Sequence, residues 1–216
     1  MAINIEKYTS LLSELNEKAI LVAVSKTKPV GDLKALYDAG QRDFGENYVQ
    51  ELVDKEAVLP KDIRWHFIGH LQSNKVKFIA PFIHLIHGVD SLSLLKEINK
   101  EAAKNSRVID CLLQVHIAKE ETKFGFDATE LETIMNESPA LKNVHIIGLM
   151  GMASFSDDLN LVRNEFKTLK SLYTMYPKFS ILSMGMSGDF TIAIEEGSNM
   201  VRIGSLLFGE RNYSKS

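Results

Sequence analysis

Eight short apolar runs alternate with helix-like stretches along this chain, and no other feature narrows its fold so far. The runs fall near residues 20–25, 42–45, 65–69, 83–86, 108–117, 144–151, 179–183 and 199–203. An opening helical segment is expected at about 4–18. Between the runs, apolar residues recur at helical spacing: Leu33, Leu36 and Tyr37, stopped by Gly40; then Val49, Leu52 and Val53. Leu94, Leu95, Ile98 and Ala102 follow a cap at Asp90 or Ser91, and a further helix is expected near 128–136. The longest carries Leu159, Val162, Phe166, Leu169, Leu172 and Tyr176. Strands that alternate with helices pair in parallel. A chain of 216 residues sits at the lower end of the range for a closed (β/α)₈ barrel. The expectation is one such barrel over about 20–211 in a single domain, with an open doubly wound sheet as the alternative.

Composition removes several classes of function. The formal net charge is −3 and no basic block appears, so no nucleic-acid footprint is present. No apolar stretch approaches the roughly 20 residues a membrane span needs, and the first residues lack the pattern of a secretory leader. Cys111, the one cysteine, cannot form an internal disulfide and lies in an apolar strand-like run, where a structural thiol is expected. Six histidines are scattered, and His66 and His70 span a strand and a turn rather than one helix face. They read as core or rim residues, with no metal site expected. A soluble cytoplasmic protein follows.

Two features carry chemistry. Lys26 ends the first apolar run and is followed by Thr27-Lys28-Pro29. An amine at the rim of the core is partly desolvated, which favours its neutral, nucleophilic form and opens Schiff-base chemistry. Lys28, two residues on, competes for that role, although Pro29 argues that the strand has ended. The second feature is a pair of small-residue turns, Met184-Gly185-Met186-Ser187-Gly188 after the seventh run and Arg202-Ile203-Gly204-Ser205 after the eighth. Glycines admit an anion closely, and helix starts offer amide hydrogens. Each turn alone reads as a helix cap, but a barrel often builds its phosphate site from the loops after strands 7 and 8. Closing the barrel brings these turns beside Lys26. One ligand bearing an aldehyde and a phosphate suits both, either pyridoxal 5′-phosphate (PLP) or a phosphosugar.

Several long motifs then point to a family. Ala23-Val24-Ser25-Lys26-Thr27-Lys28-Pro29, Phe44-Gly45-Glu46-Asn47-Tyr48-Val49-Gln50-Glu51 and Trp65-His66-Phe67-Ile68-Gly69-His70-Leu71-Gln72-Ser73-Asn74-Lys75 resemble the YggS/PROSC family. So do Lys123-Phe124-Gly125, Gly148-Leu149-Met150-Gly151-Met152-Ala153, Leu182-Ser183-Met184-Gly185-Met186-Ser187 and Val201-Arg202-Ile203-Gly204. The resemblance implies a PLP homeostasis protein with a barrel like the N-terminal domain of alanine racemase. It implies that Lys26 holds PLP as a Schiff base and that Ser187, Gly188, Gly204 and Ser205 hold the phosphate. Arg202 would face the pyridine nitrogen, the alternative being a rim ion pair. Asn47 would face the ring, the alternative being a helix cap. The Gly188-Asp189 step departs from the family pattern, in which an acidic residue often follows the serine directly.

The expected function is therefore PLP binding and supply without strong catalysis, with apo PLP-dependent enzymes as recipients and a monomeric state. The main rival is an amino-acid racemase of the alanine racemase type. That reaction needs a second acid/base on the opposite face of the substrate, supplied in that family by a further domain that this sequence does not carry. A class I aldolase acting through Lys26 is a third reading.

Overall fold

In the computed structural model, the first strand, β1 (Ile20–Val24), pairs in parallel with both β2 (Asp43–Glu46) and β8 (Met200–Ile203), and this double pairing closes the sheet. The remaining strands are β3 (Arg64–Phe67), β4 (Leu85–Val89), β5 (Ile109–Val115), β6 (Val144–Gly151) and β7 (Ile181–Met186), in sequential order around the closed barrel. The helices are α1 (Ile5–Leu15), α2 (Val30–Asp38), α3 (Val49–Val58), α4 (Val76–Ile79), α5 (Leu92–Lys104), α6 (Ala128–Glu137), α7 (Leu159–Thr174), α8 (Phe190–Glu195) and α9 (Ser205–Phe208). Residues 3–118 and 124–209 are described. Lys123 and the end of the expected barrel, 210–211, lie outside them. The closed barrel is the first of the two architectures expected from the sequence.

Local chemistry explains the elements. Ser91, rather than Asp90, caps α5 by accepting from Leu94 N (3.3 Å), and Leu94, Leu95, Ile98 and Ala102 bury one face. Asp127 and Glu130 form a reciprocal capping box on α6. Two apolar layers result. The outer one lies between sheet and helices and contains Leu33, Leu36, Phe44, Trp65, Phe67 and Phe166. The inner one is small: Val22, Leu85, Leu112, Met150 and Met200. No helix among the described residues is long and apolar enough to cross a membrane.

Two strands run further than expected. β4 continues through His87 and Gly88 to Val89, and β7 continues through Gly185 to Met186. Polar residues and glycines that read as turns are accepted here because neighbouring strands supply their partners. The short 3-10 turn Ser73–Lys75 and α4 are too brief to leave a periodic signal.

Candidate functional site

The backbone beyond β1 is held from below. Ser25 N donates to Gly45 O (3.0 Å), continuing the β1–β2 ladder, and Lys28 N donates to Ser25 O (3.0 Å), closing a turn that contains half-buried Lys26. Thr27 within it has φ +64, rare for a β-branched residue, and its N–H donates to Glu51 Oε1 (2.6 Å). Lys55 of α3 donates to Ser25 O (2.8 Å), Glu46 Oε1 (2.7 Å) and Glu51 Oε1 (2.6 Å). Ser25 Oγ also donates to Glu46 Oε1 (2.6 Å). Burial pushes the Glu46 carboxyl up, and the Lys55 ammonium opposes that shift. Lys28 is turned elsewhere, its Nζ donating to Phe208 O (3.0 Å) at the end of α9.

Across the mouth, Gly204 N donates to Ser187 Oγ (3.2 Å), joining the loops after β7 and β8. A Cβ on Gly204 would lie 3.4 Å from Val24 Cβ, so this joined pair of loops rests against the end of β1. Gly188 is exposed, with no heavy atom within 4 Å of where its Cβ would be. Ser205 opens α9 and is exposed. Asn47 follows β2 at the same rim. The N-cap of α3 is Tyr48, and Asn47 Oδ1 is buried with no hydrogen-bond partner among the described residues, so the helix-cap alternative is not what forms.

Arg202 lies one step below the mouth, paired with Val22 across β1 and β8 and only 4% exposed. Its Nη1 donates to Ser183 O (2.9 Å) and Ser183 Oγ (2.6 Å), and Nη2 donates to Gly151 O (3.0 Å). Burial lowers its pKa to about 10, which leaves it a cation at neutral pH. Among the described residues no carboxylate reaches it at ion-pair distance, so the rim ion pair does not form. At the floor of the barrel, Asp43, His66 and His84 bring ligand-type atoms within 4.8 Å of one another. Arg64 Nε donates to Asp43 Oδ1 (2.7 Å) and Nη2 to Oδ2, so the carboxylate is already engaged by a guanidinium.

The fold thus brings Lys26, Asn47, Ser187, Gly188, Gly204 and Ser205 to one mouth, with Arg202 beneath it. Sequence reading missed the supports: Lys55 on α3 with Glu46 at the end of β2, and Ser183, His87, His66 and Asp43 within the strands. Asp43, His66 and Ser183 fall inside expected strands as polar residues, and His87 just past the end of one.

A closed parallel barrel with its polar loops on one rim is the architecture of the alanine racemase N-terminal domain, and the profile of that domain matches residues 1–212. Alanine racemase from Bartonella henselae shares the fold at TM-score 0.77 and 19% identity, over 98% of this chain and 62% of its own. Nearer relatives narrow the class. The "Pyridoxal phosphate homeostasis protein" of Aquifex aeolicus is 42% identical over 90% of this chain and 88% of its own length. That of Escherichia coli K12 is 38% identical over 92% and 88%. The structure of PipY from Synechococcus elongatus with PLP bound aligns at TM-score 0.87 and 35% identity, over 94% of this chain and 99% of PipY. The chain belongs to the pyridoxal phosphate homeostasis protein family.

Proposed function

We propose that this protein binds PLP through a Schiff base on Lys26 and takes part in holding and supplying PLP within the cell, without strong catalytic activity of its own. The observation that carries the reading is the Ser187–Gly204 hydrogen bond, which makes one cradle of two loops beside the turn of Lys26. The binding named in the PipY structure and the names of the relatives support the same ligand. When bound, PLP supplies an aldehyde that condenses with an amine.

The residues fit that ligand on two counts: Asn47 Oδ1 is an orphaned buried acceptor at the mouth, and Gly188 leaves open space where a side chain would stand. Ser187, Gly188, Gly204 and Ser205 are assigned to the phosphate, which their hydroxyls and the amides at the starts of α8 and α9 suit. Arg202 is assigned to the pyridine nitrogen. As a cation it has hydrogens to donate and no lone pair to accept, so it keeps a proton off that nitrogen and makes the ring a poor electron sink. Lys26 rather than Lys28 is taken as the attachment point, on the family resemblance and on its place in the turn directly beyond β1; Lys28 Nζ donates to Phe208 O at the end of α9. Recipients would be apo forms of PLP-dependent enzymes.

The test is the visible spectrum of the purified protein beside Lys26→Ala, with borohydride trapping and peptide mapping, and an alanine racemisation assay. A yellow wild type, a colourless variant, a pyridoxyl group on Lys26 and negligible racemisation are expected. A colourless wild type that takes up no added PLP sinks the cofactor assignment. Racemisation at enzymatic rates moves the protein to the alanine racemase type.

A further inference from the structure

Polar side chains cross the barrel interior in an unbroken line, where barrels usually pack branched apolar residues. From the floor upward, Asp43 Oδ1 lies 3.0 Å from His66 Nε2, and His66 Nδ1 lies 2.9 Å from His87 Nε2. His87 Nδ1 lies 3.1 Å from Ser183 Oγ, which accepts from Arg202 Nη1. His66, His87, Ser183 and Arg202 are at most 4% exposed.

The two ends dictate which way every hydrogen points. Asp43, an ionised carboxylate gripped by Arg64, can only accept, so His66 carries its hydrogen on Nε2. A neutral His66 then offers Nδ1 as an acceptor, which requires the Nε2–H form of His87. His87 Nδ1 in turn accepts from the Ser183 hydroxyl, leaving Ser183 Oγ only lone pairs to present to Arg202. In this arrangement every hydrogen on the line meets an acceptor. A proton added to His66 would reverse the middle links and strand the Ser183 hydroxyl hydrogen. The negative ends of the aligned dipoles face Arg202, a buried cation with no carboxylate at ion-pair distance among the described residues.

We propose that Asp43, His66, His87 and Ser183 form a one-way hydrogen-bond chain that fixes the orientation and charge of Arg202 from the barrel floor, which makes His87 and Ser183 positioning residues for the ligand. The bearing on the ligand rests on the PLP reading; the chain itself does not. Burial also pushes His87 well below the ordinary imidazole range, as a neutral link requires. The charged and titratable groups facing the two rings are Asp43, Arg64, His84 and Arg202. His84 stands 5.4 Å from His66 between ring centroids, with Asp110 acting on His84 and Asp189 on Arg202.

The experiment has two arms. In the unloaded wild type, nitrogen-15 histidine correlation spectra are expected to place both His66 and His87 in the Nε2–H form, with His87 neutral from about pH 9 to about pH 5.5. An Nδ1–H form on either ring, or a cationic His87 in that range, overturns the chain. In PLP-loaded protein, Ser183→Ala is expected to move the pH midpoint of the bound chromophore by about half a unit or more, and Ser183→Thr to restore it. A Ser183→Ala titration identical to wild type overturns the positioning role. If the wild type takes up no PLP, the cofactor reading has failed, and the histidine spectra still decide the chain.

Discussion

The ammonium of Lys55 lies 2.8 Å from the carbonyl oxygen of Ser25, the residue just before Lys26. Its three hydrogens are matched by Ser25 O, Glu46 and Glu51, and Glu51 in turn accepts the Thr27 N–H in the same turn. The conformation around Lys26 is thus set from outside the barrel wall, by a helix that itself contributes nothing to the mouth cradle.

Replacing Lys55 by Met leaves Glu46 as a buried carboxylate without its counter-ion. Loss of about 3–5 kcal/mol in urea unfolding is expected, with faster release of PLP because the turn is no longer pinned. The double variant Lys55→Met/Glu46→Leu should regain most of the stability but not the slow release. A single variant within about 1 kcal/mol of wild type would mean that the pair holds nothing in place.

Stability should fall with acid in two stages. Burial, with repulsion from Arg202, holds His87 neutral when folded, whereas the unfolded chain takes up that proton below about pH 6.5. Stability is therefore lost as pH falls from that point. Burial alone would raise Asp43, but hydrogen bonds from Arg64 and His66 outweigh it and hold the carboxyl at about 2, against the ordinary 3.8. That stabilisation, about 2 kcal/mol, is present above pH 4 and disappears between about 4 and 2. Urea unfolding at stepped pH checks both, with Asp43→Asn removing the lower stage. A flat profile between about pH 6.5 and 5 would contradict a neutral His87.

Two glycines, Gly185 in β7 and Gly188 in the loop after it, should separate stability from binding. Gly185 has φ +96, and a Cβ there would come within 2.6 Å of Ala193 Cβ, so Gly185→Ala should cost about 1–3 kcal/mol or more. Gly188→Ala meets nothing and should stay within about 0.5 kcal/mol of wild type while weakening PLP, because a methyl group narrows the cradle. Thermal melting beside PLP titration distinguishes them. Undiminished affinity in Gly188→Ala would remove that residue from the phosphate site.

Cys111 is fully buried, and burial pushes its thiol well above the ordinary range. A thiol reagent should leave it untouched in the folded protein and modify it only upon unfolding. Labelling of the native state within minutes would show that β5 opens locally.

The sequence makes the alternation of strands and helices, and with it the barrel, readable because each run buries both faces and each helix shows its apolar stripe. The mouth was legible too, since Lys26 and the two glycine-serine turns carry local chemical signals and strand order makes them neighbours. The supports were not. Lys55 follows Glu46 by nine residues, a spacing with no local meaning, and their contact exists only once α3 packs back on β2. His87 lies just beyond the expected end of its strand, where the apolar run breaks off at a polar residue and a glycine. Its partners come from β3 and β7, and the β7 partner, Ser183, is 96 residues away.

The line from Asp43 to Arg202 also bears on how the barrel comes to close correctly. Its four links draw one residue each from β2, β3, β4, β7 and β8, across separations of 23, 21, 96 and 19 residues. Sliding any of these strands by one position turns its polar residue to the wrong face and leaves its neighbours unmatched inside the barrel. This interior acts as a checksum on strand register, read only when the last strand meets the first.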